Sequence, residues 1–167
     1  MKIQDKVFVG NVYSKEIDMI DKTKELLTQT SIGKELNARE YSPLALAYIG
    51  DAVYEVIIRT FVIGIGNAPV NRYHQSTKEF VQAKGQAEFY NHIKDILTEE
   101  EEDVFRRGRN AKGGSSSKST DIITYRHSTG FEALIGYLYI EGDTKRILEI
   151  MEYGLEQIGE NNSENTM

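Results

Sequence analysis

Residues 44–55 read "LALAYIGDAVYE", an apolar run that contains one glycine and one acid side by side, Gly50 and Asp51. A carboxylate buried alone is strongly destabilising or takes up a proton. Glycine inside a helix costs ~1 kcal/mol relative to alanine, and its usual physical reason is the close approach of another group. The pair therefore predicts that a facing helix, a partner chain or a ligand approaches this segment beside Asp51.

The residues on either side of this run indicate a long helix. Ser42 supplies a capping hydroxyl, and Pro43 stands at the first helical position, where a backbone N–H is not needed. Gly66 and Pro69 are typical of the end of a helix. A helix is therefore predicted from Pro43 to about Ile63.

Further helix signals recur along the chain. Ser76 with Glu79, and Thr98 with Glu101, form two capping boxes that would satisfy the first backbone N–H groups of a helix. The remaining helices are predicted over residues 14–38, 76–96, 98–110, 124–141 and 143–158. No strand pattern alternates with them, so the chain is predicted to be all-α. It divides into a partly helical N-terminal extension (1–40), one domain (41–158) and a disordered tail (159–167).

Composition excludes several classes of protein. The 167 residues contain no cysteine, which excludes a disulfide framework, a thiol nucleophile and a cysteine zinc site. No apolar run lacks charge for the ~20 residues that a membrane span needs, and no signal peptide is evident. These features fit a protein of the reducing cytoplasm, with no membrane partner.

A second acid has a setting similar to that of Asp51. In "STGFEALIGYLYI", Glu132 lies one turn before Gly136 and off the predicted core face. That face consists of Phe131, Leu134, Ile135 and Leu138. Two carboxylates that converge between helices form an oxygen site suited to Mg²⁺ or Mn²⁺. The pattern alone leaves open that the two acids are unrelated surface residues. Glu55 and Arg59, which follow Asp51 at intervals of four, fit a solvated ion pair.

The charge of the chain is unevenly distributed. Residues 104–127 contain six cationic side chains and one acid, a local net charge of +5 in a chain whose net charge is −6. An acidic protein with one basic segment can bind a polyanion through that segment. The candidate phosphate-binding side chains are Lys78, Lys84, Arg106, Arg107, Arg109, Lys112, Lys118 and Arg126. The alternatives are a charge cluster at a helix C-terminus, a solvated Gly/Ser loop, and lysine stems lying over apolar neighbours.

Three segments, taken in order, resemble Mini-ribonuclease III, the bacterial ribonuclease III catalytic domain without a separate double-stranded-RNA-binding domain. They are "LALAYIGDAVYE", "AKGQAE" and "RGRNAKGGSSSKSTDIITYRHSTGFEALIGYLYIEG", and the resemblance covers roughly residues 44–158. It implies the all-α ribonuclease III endonuclease fold and a symmetric homodimer. It also implies Mg²⁺-dependent hydrolysis of double-stranded RNA, typically precursor ribosomal RNA of the large subunit (23S), with a ribosomal protein as a further partner.

The resemblance also assigns residues. The "IGD" element makes Asp51 a metal-binding catalytic acid, and "FEALIG" makes Glu132 its partner. The further carboxylates of the broader family fall here on Leu44, Ala47 and Thr129, a reduced set that the Mini-ribonuclease III branch shares. The missing acids keep open a non-catalytic RNA-binding or ribosome-assembly module on the same fold. A phosphohydrolase acting on small nucleotides would usually need clustered His and Asp ligands, which the sequence lacks.

Overall fold

The structure is a computed structural model that describes Lys22, Glu25 and residues 36–112 and 121–164, with side chains to residue 159. Over these residues it contains helices and no strand, which confirms the all-α prediction. The α-helices between residues 36 and 164 are α1 (Pro43–Ile65), α2 (Val70–Val81), α3 (Ala83–Ile93), α4 (Glu99–Asn110), α5 (Ile122–Glu141) and α6 (Thr144–Glu164). The helix predicted over 14–38 lies largely outside the described residues.

The start of α1 is the one predicted from the sequence. The Ser42 hydroxyl accepts a hydrogen bond from the Ala45 N–H (3.2 Å), and Pro43 is the first helical residue. The helix continues slightly past the predicted end and stops at Gly66, whose φ of 151° favours glycine. Both ends of α1 therefore follow from local sequence chemistry.

The prediction of a helix over residues 76–96 places the start of the helix too late in the sequence. α2 already begins at Val70, because the turn before it is held by Tyr73. The Tyr73 hydroxyl accepts a hydrogen bond from the Ala68 N–H (2.8 Å) and donates one to the Gly66 carbonyl (3.0 Å). Ser76 consequently lies inside a helix, where no first-turn N–H group remains for a capping box.

The same predicted helix is also wrong in its continuity. Gln82 has an extended backbone (φ −69°, ψ 154°) and separates α2 from α3. The two helices pack very closely at this break, since a Cβ atom at Gly85 would lie only 2.1 Å from the Glu79 carbonyl oxygen. The glycine therefore allows α3 to begin directly against the end of α2.

α4 begins with the capping box predicted at Thr98 and Glu101. The Thr98 hydroxyl accepts from the Glu101 N–H (3.2 Å), and the Glu101 carboxylate accepts from the Thr98 N–H (2.8 Å). That buried carboxylate also receives two N–H groups of Arg146 (2.7 and 3.0 Å). Burial raises the pKa of Glu101, but the hydrogen bonds from Arg146 and Thr98 outweigh burial and lower it overall. The ion pair joins α4 to α6.

Replacing Arg146 with methionine should lower the free energy of unfolding by about 3 kcal/mol, because Glu101 would remain a buried carboxylate without its counter-charge. Urea unfolding at neutral pH measures the change. Lys145→Met is the matched control, since the Lys145 side chain is 89% exposed and lies 3.9 Å from Glu149. Its effect should stay within about 0.5 kcal/mol. Equal stability of the two variants would show that the ion pair does not stabilise the fold.

α5 is the central helix and packs against α1, α3, α4 and α6. Asp121 caps its start by accepting the backbone N–H groups of Ile123 and Thr124. Gly142, with a φ of 79°, ends it, in agreement with the predicted helix end at residue 141. The predicted core residues of this helix are all buried, namely Phe131, Leu134, Ile135 and Leu138. Because α5 contacts four other helices, it fixes the position of every element around the site.

The first and last of the elements between residues 36 and 164 also contact the central helix α5. A short 3-10 helix, Ala38–Glu40, lies at the end of α5, where the Ala38 N–H donates to the Glu141 carboxylate (3.2 Å). α6 runs to Glu164, beyond the predicted Ile158 and into the segment predicted to be a disordered tail. None of the helices that the structure describes is both long and apolar enough to span a membrane.

Candidate active site

Gly50 and Gly136 mark the point where α1 crosses α5. A Cβ atom at Gly50 would lie 1.8 Å from the Glu132 carbonyl oxygen, and one at Gly136 would lie 1.9 Å from the Leu46 carbonyl oxygen. A side chain at either position would therefore collide with the backbone of the facing helix. The close approach that Gly50 predicts is that of a second helix, α5.

This crossing brings the two candidate acids to one cavity. Asp51 follows Gly50 on α1, and Glu132 belongs to the turn of α5 that Gly50 touches. Both acids line a cavity of about 430 Å³. The other lining residues are Leu44, Ala47, Tyr48, Ile49, Ala52, Glu55, Tyr125 and Thr129. Asp51 is exposed and Glu132 is part-buried, so the pair is accessible from the solvent on the Asp51 side.

A third polar side chain reaches the two acids from α3. Gln86 is 1% exposed, and its Nε2 donates to Asp51 Oδ1 at 3.1 Å. A hydrogen bond from the same amide lowers the pKa of Glu132. Gln86 was not among the residues selected from the sequence, because it is uncharged and "AKGQAE" contains no catalytic motif. One signal was available: Gln86 stands three and seven residues before the buried Phe89 and Ile93, on the core face of α3.

Asp51 and Glu132 have no cationic partner in the described part of the chain, where no Lys, Arg or His nitrogen forms an ion pair with either. Burial, and then repulsion from Asp51, raises the pKa of Glu132 to about 8. Burial also raises the pKa of Asp51, while the hydrogen bond from Gln86 lowers it and the charge on Glu55 raises it. The site is therefore a pair of mutually repelling acids, the electrostatic setting that a cation would relieve.

The family of the chain follows from its sequence over this same region. A model of the ribonuclease III domain matches residues 44–143, which include Asp51, Gln86 and Glu132. The protein belongs to the ribonuclease III family. Membership makes it an endoribonuclease, and similarity to many Mini-ribonuclease 3 proteins confirms the resemblance to that branch predicted from the sequence.

The relatives and a solved structure share most of their length with this ribonuclease III chain. The Mini-ribonuclease 3 of Thermoanaerobacter sp. (strain X514) is 46% identical over 136 residues, which cover 81% of this chain and 92% of that protein. The Mini-ribonuclease 3 of Enterococcus faecalis is 40% identical over 126 residues, covering 74% and 96%. A crystal structure of a protein from Fusobacterium nucleatum aligns with a TM-score of 0.65 at 30% identity, covering 71% and 95%.

Uncharged residues occupy the positions in this cavity where the broader ribonuclease III family has further acids. Leu44, Ala47 and Thr129, the positions at which the resemblance expects further carboxylates, all line it. Ala47 and Thr129 are buried, and the Thr129 hydroxyl donates to the Tyr125 carbonyl (3.1 Å). These residues leave Asp51 and Glu132 as the two acids of the helix crossing.

Two other acids close in sequence or space have separate roles. Glu55 lines the cavity but pairs with Arg59, whose Nε lies 3.0 Å from Glu55 Oε1, as predicted. Asp121 caps α5, and its hydrogen bonds to Thr124 lower its pKa. No group of three or more His, Cys, Asp or Glu in the described ranges could hold a metal. The donor set of Asp51 and Glu132 still fits Mg²⁺, which binds through one or two carboxylates and keeps several waters.

The basic end of α4 lies beside the helix that carries Glu132. A Cβ atom at Gly108 would lie 2.7 Å from the Ala133 Cβ, so the arginines on either side of Gly108 run alongside α5. Arg107 pairs with Asp103 (3.1 Å), and Arg106 contacts the same acid. These exposed pairs contribute little to stability and leave the arginines accessible.

The other candidate phosphate-binding residues are spread over the surface. Lys78 on α2, Lys112 after α4 and Arg126 on α5 are exposed. Lys84 on α3 lies 3.7 Å from Glu88. Lys118 falls outside the described residues. The structure thus places Arg126 on the same helix as Glu132 and leaves the RNA contacts of the whole set a prediction.

Without divalent cations, the free energy of unfolding should fall as the pH rises from about 4.5 to about 8. Glu132 has a higher pKa in the fold than the ordinary 4.5, so its ionisation is unfavourable in the native state and lowers stability across that window. We expect a loss on the order of 1–3 kcal/mol, reduced by partial solvent access. Urea unfolding in EDTA at several pH values measures it. Glu132→Gln should lack this loss; parallel pH profiles would contradict the raised pKa.

Proposed function

We propose that this ribonuclease III family member hydrolyses phosphodiester bonds of double-stranded RNA with Mg²⁺ as cofactor, for which Mn²⁺ can substitute. The observation that carries the proposal is the cavity at the α1–α5 crossing, where Asp51 and Glu132 meet without a cationic partner among the described residues. Two oxygen ligands with room for water suit Mg²⁺ better than a softer metal.

The residues of the chain divide the chemical work between them. Asp51 and Glu132 would hold the metal, which when bound supplies an activated water and stabilises charge on the scissile phosphate. The exposure of Asp51 leaves one side of the site open to a phosphate from solvent. Arg126 and the arginines around Gly108 would neutralise the neighbouring RNA backbone.

We infer that recognition rests on the shape of the duplex rather than on its sequence. A-form RNA has a deep, narrow major groove, so a helical domain reads its phosphates and 2′-hydroxyls. A single domain covers few phosphates, and a two-fold homodimer would place a second site on the antiparallel strand. The exposed apolar side chains of α1 support a dimer, with Tyr48 84% and Ile63 61% exposed.

The natural substrate proposed here is precursor ribosomal RNA of the large subunit, processed in the cytoplasm, with a ribosomal protein as an additional partner. The support is the similarity to proteins named Mini-ribonuclease 3 over most of the chain.

A cleavage assay tests the function directly. The protein is incubated with duplex RNA, with single-stranded RNA of the same sequence and with free nucleotides, in Mg²⁺ or in EDTA. We expect cleavage only of the duplex, and only when Mg²⁺ is present. Binding of duplex without cleavage would favour the non-catalytic RNA-binding module, for which the uncharged Leu44 and Ala47 argue.

Replacing Arg126 with glutamine should weaken duplex binding and reduce the slope of log affinity against log salt by about 1, because one phosphate contact is lost. Filter binding in Ca²⁺ at several salt concentrations measures both quantities. Lys145→Gln, which removes an exposed cation outside the proposed set, should leave the slope unchanged. Identical slopes for the two variants would remove Arg126 from the RNA surface.

A further inference from the structure

Gln86 is the most buried polar side chain that reaches the helix crossing. It is 1% exposed and comes from α3, a helix that contributes no acid to the site. A primary amide buried this deeply is destabilising unless its groups are hydrogen-bonded. Its Nε2 satisfies that need by donating to Asp51 Oδ1 at 3.1 Å. The same amide also lowers the pKa of Glu132, the second acid of the cavity. The glutamine therefore binds Asp51 directly and acts on the charge state of Glu132 beside it.

We propose that Gln86 is a positioning residue, whose buried amide holds Asp51 and Glu132 in a fixed mutual orientation for a divalent cation. The inference rests on the proposed function, because it concerns the same pair of acids. The role belongs to α3, a third helix, which carries neither of the two proposed metal ligands.

The chemistry of an amide suits this role better than that of a charged side chain. An NH₂ group carries two donors and no charge, so it can serve two carboxylates at once without neutralising either. A lysine or arginine at this place would cancel the negative charge that binds the cation, and a glutamate would add to the repulsion. With Asp51 Oδ1 engaged by Gln86, the second carboxylate oxygen remains for a metal. Partners of this kind typically change metal affinity 10- to 100-fold when they are removed.

The fold holds Gln86 firmly. It follows Gly85, where a Cβ atom would lie 2.1 Å from the Glu79 carbonyl oxygen, so the absence of a side chain lets α3 pack closely against the end of α2. Ala87 and Phe89, on the same helix, are buried in the core. The amide is therefore fixed before any cation binds, which is what orientation of a metal ligand requires.

Binding of Mn²⁺ to the full-length, metal-free protein tests the inference without RNA. Free Mn²⁺ is followed by electron paramagnetic resonance for wild type, Gln86→Met, Asp51→Asn and Gln75→Met. Gln75→Met is the matched control, because Gln75 is an exposed glutamine on α2. We expect about tenfold weaker binding for Gln86→Met, loss of binding for Asp51→Asn and wild-type binding for Gln75→Met. Duplex cleavage by Gln86→Met should recover at saturating Mn²⁺.

The outcomes separate this inference from the proposed function. Wild-type Mn²⁺ affinity in a folded Gln86→Met would overturn the positioning role and leave the nuclease proposal intact. Absence of Mn²⁺ binding by the wild type would overturn the proposed metal site itself, and the positioning role with it.

A measurement on the wild-type chain covers the case in which Gln86→Met does not fold. The side-chain ¹H–¹⁵N amide signals of Gln86 should shift when Mg²⁺ is added, because the Asp51 carboxylate that accepts from this amide becomes a metal ligand. The signals of Gln75 should not move, and Asp51→Asn should abolish the response. Unchanged chemical shifts of the Gln86 side chain on addition of Mg²⁺ would overturn the inference.

Discussion

Asp51→Asn and Glu132→Gln should each reduce Mg²⁺-dependent cleavage of duplex RNA by more than about a hundredfold. Removing a residue that only hydrogen-bonds to a metal ligand typically costs up to about a hundredfold. Asp51 and Glu132 are the proposed ligands themselves, so the loss should be larger. Each substitution preserves shape and removes one carboxyl group that could bind the metal. Single-turnover cleavage of a duplex under saturating enzyme measures the chemical step without the contribution of product release.

Glu55→Gln is the matched control for the two acids. Glu55 lines the same cavity one turn after Asp51, but it pairs with Arg59 at the surface. Its substitution should change the cleavage rate by less than a few-fold, as expected for an exposed ion pair. If Asp51→Asn retained the rate of the wild type, hydrolysis at this cavity would be excluded, and the non-catalytic RNA-binding module would become the better description.

Gly50→Ala and Gly136→Ala should each lower the free energy of unfolding by about 3 kcal/mol, the upper end for an overpacked core. The added methyl group would lie 1.8 Å or 1.9 Å from a backbone carbonyl oxygen of the facing helix, and a backbone cannot turn away as a side chain can. The helices must separate, so the acids separate with them. Urea unfolding and the cleavage assay should therefore both register the change.

Gly64→Ala provides the control within α1. Gly64 is in the same helix as Gly50, but a Cβ atom there meets nothing within 4 Å. Alanine should raise the free energy of unfolding by up to about 1 kcal/mol, because it has the higher helix propensity. If Gly50→Ala were as well tolerated as Gly64→Ala, the close approach of α1 and α5 would not be present in solution.

The sequence predicted best those helices whose ends are determined by neighbouring residues. Ser42 with Pro43, the capping box of Thr98 and Glu101, and Gly142 each act within one helical turn, and all three are in place. The capping-box pattern at Ser76 failed because an upstream turn, held by Tyr73, had already started the helix. A capping motif can act only where the chain has free N–H groups, and that depends on residues outside the motif.

The candidate site could be predicted in part for a similar reason. The glycine beside Asp51 and the one after Glu132 indicated close approach, and family resemblance joined the two segments. Gln86 could not be paired with them, because its contact with Asp51 depends on the break at Gln82. That break accompanies the packing of α3 on α2, and no local sequence pattern predicts this packing.

The helix crossing also bears on when the protein can become active. Asp51 lies early in the domain, whereas Glu132 and Gly136 lie on the last helix but one, and α5 is the centre of the core. A chain emerging from the ribosome therefore presents Asp51 long before its partner exists. Because α5 docks only as the core forms, partly folded chains lack the site altogether. If Asp51 and Glu132 act together as proposed, cleavage requires a completely folded core, and a partly synthesised chain should be inactive.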